Sequence, residues 1–390
     1  MRVAFVCPFF GKDAAGGAEF AARSVALHLA DSGVEVEVLT TCLHDLPHGL
    51  THNVHSPGIS QDGPITIRRF MAETPDMTPF EALNDLIIDG ETLSPREERQ
   101  FMSRNVNSVD LLRYIAAHEP DYDWFCFIPY LFGTTVFGAR VVPHKAIMIP
   151  CLHDEGYARL QLVRDTIACV HRVVFNAEAE KRFANEAYGI DEERGITIGL
   201  GVDTDVTFDA ERFRQRFGIE DPFILYAGRR DTTKNVHTLI AHFDRYKEQN
   251  PGPLKLVLMG PADLPVADPS DDIVDLGFVS EQEKRDAYAA ADIFCQPSLN
   301  ESFSYVIMEA WLSGTPCLVH EKCKVTRDHV VQSGGGLYFD DEKDFCGVVD
   351  RLLKDPELRG NMATAGRQYV LNNFSWERIV KRFREEVFRV

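Results

Sequence analysis

Short runs of β-branched and aromatic residues alternate with amphipathic segments along nearly the whole chain, in two successive series. The first series has strand candidates at 3–7, 34–40, 65–69, 124–128, 146–149 and 173–176. The second has them at 223–227, 254–259, 273–276, 293–296, 316–319 and 336–338. Helical patterns lie between, for example at 18–32, 106–118, 238–248 and 281–290. Strands joined through helices pair in parallel, and the crossover helices cover both faces of the sheet. The pattern therefore predicts an α/β protein with two parallel sheets in sequence, and 390 residues are too many for one ordinary core. The switch between series falls between Gly199 and Pro222, where turn residues collect.

Two segments depart from the simple alternation. Residues 42–105 are irregular and rich in His, Pro and Gly, yet hold Phe70, Phe80, Leu83, Leu86, Ile87, Ile88 and Phe101 at partly helical spacing. This predicts an ordered insertion, and such segments commonly carry specificity. Residues 374–387 form an amphipathic helix pattern with Ser375 as its N-cap.

Charge and composition exclude several functions. The formal net charge is −19 and neither half is basic, which argues against nucleic-acid binding and against strong adsorption on anionic lipid. Apolar runs are strand-sized, too short for a membrane-spanning helix. The first ten residues read better as a buried strand than as a secretory leader. Nine cysteines without a CxxC pair suggest reduced thiols and a cytoplasmic setting, with at most peripheral contact at the inner membrane face.

The chemistry-bearing residues collect where strands end. Glu301 and Glu309 flank the start of an apolar helix expected near Ser304, whose free N–H groups and dipole attract an anion such as a diphosphate. One carboxylate could then hold sugar hydroxyls and the other ribose hydroxyls. On spacing alone, a helix cap and a solvated glutamate would explain the pair as well. Gly228 follows the first strand of the second series, and Arg229 and Lys234 in the same loop could neutralise a diphosphate, or simply be solvated cations. Gly16 and Gly17 stand after the first strand of the chain at a helix start, suited to an anion or to a tight turn. The dinucleotide fingerprint G-x-G-x-x-G is absent there, which disfavours a dehydrogenase. His153 lies just past the 146–149 strand and could contact a sugar or acceptor, transfer a proton, or serve structure. Its neighbours Asp154 and Glu155 raise a metal-site reading, but three consecutive side chains point in different directions. Asp121/Asp123 and Asp203/Asp205 match D-x-D only formally and are discounted.

Taken together, these residues make the chain resemble the retaining GT-B glycosyltransferases of group 1 (family 4). The match is strongest over 223–388, through Gly228-Arg229 with Lys234-Asn235, Gly277 to Ser280, Ala291 to Ser298, the Glu301/Glu309 pair and Ser313 to Pro316. Gly16 to Glu19, Val174 to Glu178, Gly201 to Asp203 and His153 resemble the family pattern in the first half. The family often has glycines around Phe303, where this chain has Ser302 and Ser304.

The resemblance implies two Rossmann-like domains facing a central cleft. Residues 1–203, with the insertion at about 42–105, would form the acceptor domain, closed by a C-terminal helix (375–390) crossing back to it. Residues 204–374 would bind the nucleotide-sugar. Arg229 and Lys234 would hold the diphosphate with backbone amides around Phe303, Ser304 and Tyr305, while Glu309 would bind the ribose and Glu301 the transferred sugar. Phe278 and Val279 would lie beside the base, His153 would contact the sugar, and Gly16-Gly17 would close over the phosphates. The implied reaction is retaining, metal-independent hexosyl transfer from a UDP- or GDP-sugar to a glycan, a lipid-linked glycan or a small-molecule hydroxyl, without a cofactor. Polysaccharide biosynthesis is a common destination of the family. A sugar-nucleotide epimerase and a catalytically silent binding subunit are the alternatives.

Overall fold

β1 (Arg2–Val6) has four consecutive fully buried residues, Val3 to Val6, the mark of a strand covered on both faces. Around it lie β2 (Glu35–Thr41), β3 (Gly58–Asp62), β4 (Ile65–Phe70), β5 (Trp124–Phe127), β6 (Ala146–Met148), β7 (Arg172–Phe175) and β8 (Gly195–Thr197). They form one sheet in the order β3-β4-β2-β1-β5-β6-β7-β8. The structure, a computed structural model, describes residues 1–14, 16–230, 232–261 and 270–389. The chain divides into two compact units, Met1–Gly201 with Trp376–Val390, and Val202–Ser375.

One edge of the first sheet corrects the expectation of wholly parallel pairing. β3 runs antiparallel to β4, joined by a turn at Gly63 (φ 56°) and Pro64. Asp62-Gly63 is a hairpin signal, so a short turn replaces the crossover that a parallel neighbour would need. The 42–105 segment thus contributes β3 and β4, and also the helices Thr78–Ile88 and Pro95–Arg104. Ser94 caps the second of these through a reciprocal capping box with Glu97. Both helices pack inward, Leu83, Ile87, Phe101 and Met102 joining the unit's main core.

After Ser375 the chain returns to the first unit as a helix, Trp376–Arg382, continued by the wider π turn Phe383–Val387. Ile379, Phe383 and Val387 are buried, and the Trp376 ring stacks on His28 at 3.9 Å. Gly201 makes this packing possible, since a Cβ there would lie 2.2 Å from the indole. Arg382 donates to the Thr197 and Ile198 carbonyls at 2.8 and 3.1 Å, and Arg384 to the Ser32 carbonyl at 3.0 Å.

The second unit holds β9 (Phe223–Ala227), β10 (Lys255–Met259), β11 (Ile273–Gly277), β12 (Ile293–Gln296), β13 (Cys317–His320) and β14 (Gly336–Phe339). Every pairing is parallel, in the order β11-β10-β9-β12-β13-β14. The chain starts at β9, builds outward through β10 and β11, then returns to β12 on the other side of β9. Successive loops therefore leave β9 and β12 in opposite directions, and the crevice between them is where open α/β sheets take their ligands. Among the described residues, no helix is long and apolar enough to cross a membrane.

Candidate active site

The crevice of the second unit gathers several of the sequence-predicted residues. From β9, Gly228 opens a loop that carries Arg229 and Arg230, then a short turn Thr232–Lys234, then the helix Val236–Gln249. From β12, the loop 297–304 leads into the helix Tyr305–Ser313. The two loops meet at a buried polar contact. Lys234 Nζ donates to Glu301 Oε1 at 2.7 Å, and Gln296 Nε2 donates to the same oxygen at 2.9 Å. The Glu301 side chain is only 11% exposed, so the pair is held in a setting where charge interactions are stronger than in water. A second tie is Asn235 Nδ2, which donates to the Pro297 carbonyl at 3.1 Å.

The β9 loop is also clamped from the other side. The buried Arg230 forms an ion pair with Asp275 on β11 and donates to the Gly260 carbonyl at 3.2 Å. Gly260, at the end of β10, has φ 116°, and a Cβ there would lie 2.1 Å from the Gly228 carbonyl oxygen. The two loop backbones can approach this closely only because Gly260 has no side chain. Arg229, next to the clamp, is exposed, and its carbonyl accepts from the Tyr226 hydroxyl at 2.5 Å.

The helix Tyr305–Ser313 begins at Ser304, whose φ of 71° is left-handed and whose side chain makes no cap hydrogen bond. A glycine adopts that backbone freely and a serine at some cost, a local reason for glycine near this position in related chains. The uncapped start leaves helix N–H groups to a ligand. Phe303 turns inward and is buried against His329 and Phe374, so only its backbone is available to a ligand. Glu309 lies in the second turn, where Tyr288 Oη donates to Oε2 at 3.0 Å and Lys284 Nζ to Oε1 at 3.3 Å. Burial opposes the Lys284 charge, but the Glu309 and Glu281 carboxylates outweigh it and raise its pKa. At the end of β11, Phe278 is 84% exposed and Val279 half-buried, so an aromatic face stands free for stacking.

The remaining predicted residues lie in the first unit. Gly16 (φ 132°) precedes the helix Gly17–Asp31, and a Cβ on Gly16 would meet Glu19 Oε2 at 2.0 Å. His153 Nδ1 lies 3.7 Å from Glu155 Oε1, which also accepts from Tyr130 Oη at 2.8 Å. Burial alone would push the Glu155 carboxyl up, but His153 and the Tyr130 hydroxyl hold it below its usual range. Asp154 turns instead to Arg159, at 2.5 Å. Beneath this loop, the buried Glu180 accepts from the Leu152 and Asn176 backbone N–H groups, each at 2.6 Å.

Sequence reasoning missed Arg230, Gln296, Lys284, Tyr288 and Glu180. Each acts by holding a loop or a carboxylate, and each becomes visible only when distant segments are brought together. Arg230 alone left a trace, as a second cation beside Arg229 in the loop already singled out.

Two Rossmann-like α/β units, one with a polar crevice at its switch point, are the two parts of a GT-B fold. The fold is similar to that of sucrose-phosphate synthase from Thermosynechococcus elongatus, with a TM-score of 0.74 at 17% identity over 100% of this chain and 98% of the other. It is likewise similar to HepE from Anabaena in complex with UDP, with a TM-score of 0.73 at 17% identity over 100% of both chains. A D-inositol 3-phosphate glycosyltransferase from Rhodococcus erythropolis is 25% identical over 405 residues, covering 94% of this chain and 85% of the relative. Residues 207–369, most of the second unit, match the family described as glycosyl transferases group 1.

Proposed function

We propose that the chain is a retaining, metal-independent hexosyltransferase that takes its donor, a nucleoside-diphosphate sugar, in the crevice of the second unit. The observation that carries this reading is the Lys234–Glu301 contact, 2.7 Å long, beside the uncapped start of the helix Tyr305–Ser313. It sets a cation, a carboxylate and a helix start around one crevice. Arg229, Lys234 and the amides around Phe303 to Tyr305 receive the diphosphate. Glu309, already oriented by Tyr288 and Lys284, accepts from the ribose hydroxyls. Glu301 accepts from hydroxyls of the transferred sugar, and the exposed Phe278 with Val279 flanks the base.

The diphosphate leaves the anomeric carbon with the bonding electrons while the acceptor hydroxyl approaches the same face. The acceptor proton passes to the departing phosphate oxygen, so no protein base is consumed. Lys234, Arg229 and the helix start neutralise the charge that develops, the largest contribution such sites usually make. For the first unit, His153 is the sugar- or acceptor-contacting candidate, and Gly16-Gly17 the phosphate-facing loop. UDP in the Anabaena structure makes UDP-sugars the first donors to test, before GDP-sugars. Relatives named for D-inositol 3-phosphate make that compound the first acceptor to try beside glycans and lipid-linked glycans. Nine cysteines without a CxxC pair support a cytoplasmic setting, and the resembled family makes polysaccharide building a role to test.

Thermal shift with a panel of nucleoside diphosphates and their sugars tests the donor site. A donor at 100 times its Kd adds about 2.7 kcal/mol and raises the melting temperature. No shift with any member of the panel, or full transfer activity in Lys234→Ala, would overturn the reading.

A further inference from the structure

The irregular segment after β2 holds a side-chain cluster that the transferase reading does not use. His44, Asp45 and His48 each present one ligand atom, all within 4.8 Å of one another. His48 Nδ1 lies 2.6 Å from Asp45 Oδ1, which also accepts from the His48 backbone N–H at 3.1 Å. His44 Nε2 lies 3.7 Å from Asp45 Oδ2, and its other nitrogen, Nδ1, lies 3.3 Å from His55 Nε2. Asp45 is 1% exposed, whereas the His48 side chain is 61% exposed.

From this arrangement we propose that His44, Asp45 and His48 bind one divalent transition-metal ion of the zinc class, with His55 orienting His44 from behind. Two imidazoles and a carboxylate suit zinc, cobalt or nickel, whereas magnesium and calcium prefer sets made of oxygen. Ligands of a four-coordinate zinc ion stand about 3.3 Å apart, given bonds near 2.0–2.1 Å. His48 Nδ1 now lies closer than that to Asp45 and His44 Nε2 farther than that, so both rings shift on binding. The ion takes the place of the direct His48 Nδ1–Asp45 Oδ1 contact.

The backing of His44 is an independent observation. A metal on His44 Nε2 would place the ring proton on Nδ1, which then donates to His55 Nε2 3.3 Å away. Ligating histidines usually have such a partner on the second nitrogen. His55 is carried there by backbone pairing: its N–H donates to the Cys42 carbonyl at 2.8 Å, while Asn53 exchanges two hydrogen bonds with Ala72. The fourth coordination position, on the exposed side of His48, falls to water. The ion ties His44 and Asp45 to His48, and none of its ligands belongs to the donor site.

The test uses tag-free, chelator-treated full chain titrated with cobalt(II), followed by visible spectroscopy. One equivalent should bind with the d–d bands of a four- or five-coordinate site, and zinc(II) should bleach them. His48→Ala, at an exposed position that leaves the fold intact by circular dichroism, should abolish the bands. His55→Ala should weaken binding roughly 10- to 100-fold. No stoichiometric uptake would overturn the proposal. So would uptake unchanged in His44→Ala and His48→Ala, since the ion would then sit elsewhere among the 13 histidines.

Discussion

Lys234 Nζ lies 2.7 Å from Glu301 Oε1, so a diphosphate must draw Lys234 partly away from a carboxylate that also awaits a sugar. Lys234→Ala should lower kcat about 100- to 1,000-fold, as expected for loss of one group that stabilises the developing charge. Glu309→Ala should act differently. Losing a charge-assisted hydrogen bond to ribose costs about 1.5–3 kcal/mol, so the donor KM should rise roughly 10- to 150-fold with a smaller change in kcat. Steady-state kinetics with a competent donor separates the two effects. In the first unit, burial pushes the Glu180 carboxyl up to about 7, even though two backbone N–H groups favour its charge. Because the folded pKa exceeds the unfolded one, the stability from Glu180 is complete below about 4.5 and is lost as pH rises through 7. The loss is on the order of 3 kcal/mol. Thermal melts from pH 4.5 to 8 should therefore fall more steeply in the parent chain than in Glu180→Gln, whatever the variant's overall stability. The Glu180 site was not legible in the sequence: residues 152, 176 and 180 meet only once β6 and β7 pair.

Among the elements, the β9 and β10 ends depend on a backbone approach that tolerates no side chain. Gly260→Ala sets its Cβ against the Gly228 carbonyl, a backbone atom that cannot swing aside. The variant should lose about 1–3 kcal/mol in chemical denaturation and also bind donor more weakly, because the displaced loop carries Arg229 and Lys234. Strands buried on both faces were legible as apolar runs: β9 and β12 have the bounds their composition predicts. The helix Glu281–Ala290 was equally plain, with Ser280 and Glu283 forming its capping box. β3 and β8 were missed for physical reasons. β3 is an edge strand with a mostly exposed, polar sequence, and β8 is three residues long, too short for any period to show. The Glu301/Glu309 pair was legible through its helix start, but Gln296, Tyr288 and Lys284 were not, since they come from other elements.

For the molecule as a whole, two sheets were legible because each strand–helix series repeats the same two periods. That the last helix belongs with the first unit rests on its apolar face, which the sequence shows, and on a docking surface, which it does not. Deleting residues 376–390 uncovers the partners of Ile379, Phe383 and Val387 and removes the Arg382 bonds to Thr197 and Ile198. Burying three such side chains stabilises by several kcal/mol, at about 1.5–3 kcal/mol each. The shortened chain should therefore lose cooperative unfolding of the first unit, or aggregate. Limited proteolysis should show cuts within 1–201 before any within 202–375. Equal resistance of the two units in the shortened chain would refute this.

The same return of the chain sets an order of events on the ribosome. Everything the first unit needs, except its closing helix, has been translated by Gly201, but that helix follows the whole of Val202–Ser375. At about 5–20 residues per second, the wait is on the order of ten to a few tens of seconds. During that interval the groove beside His28 and Gly201 is open to solvent and to nascent-chain chaperones. The second unit, contiguous in sequence, can complete itself first. A protein whose earliest-made sheet is finished last would be especially sensitive to translation pauses late in its message.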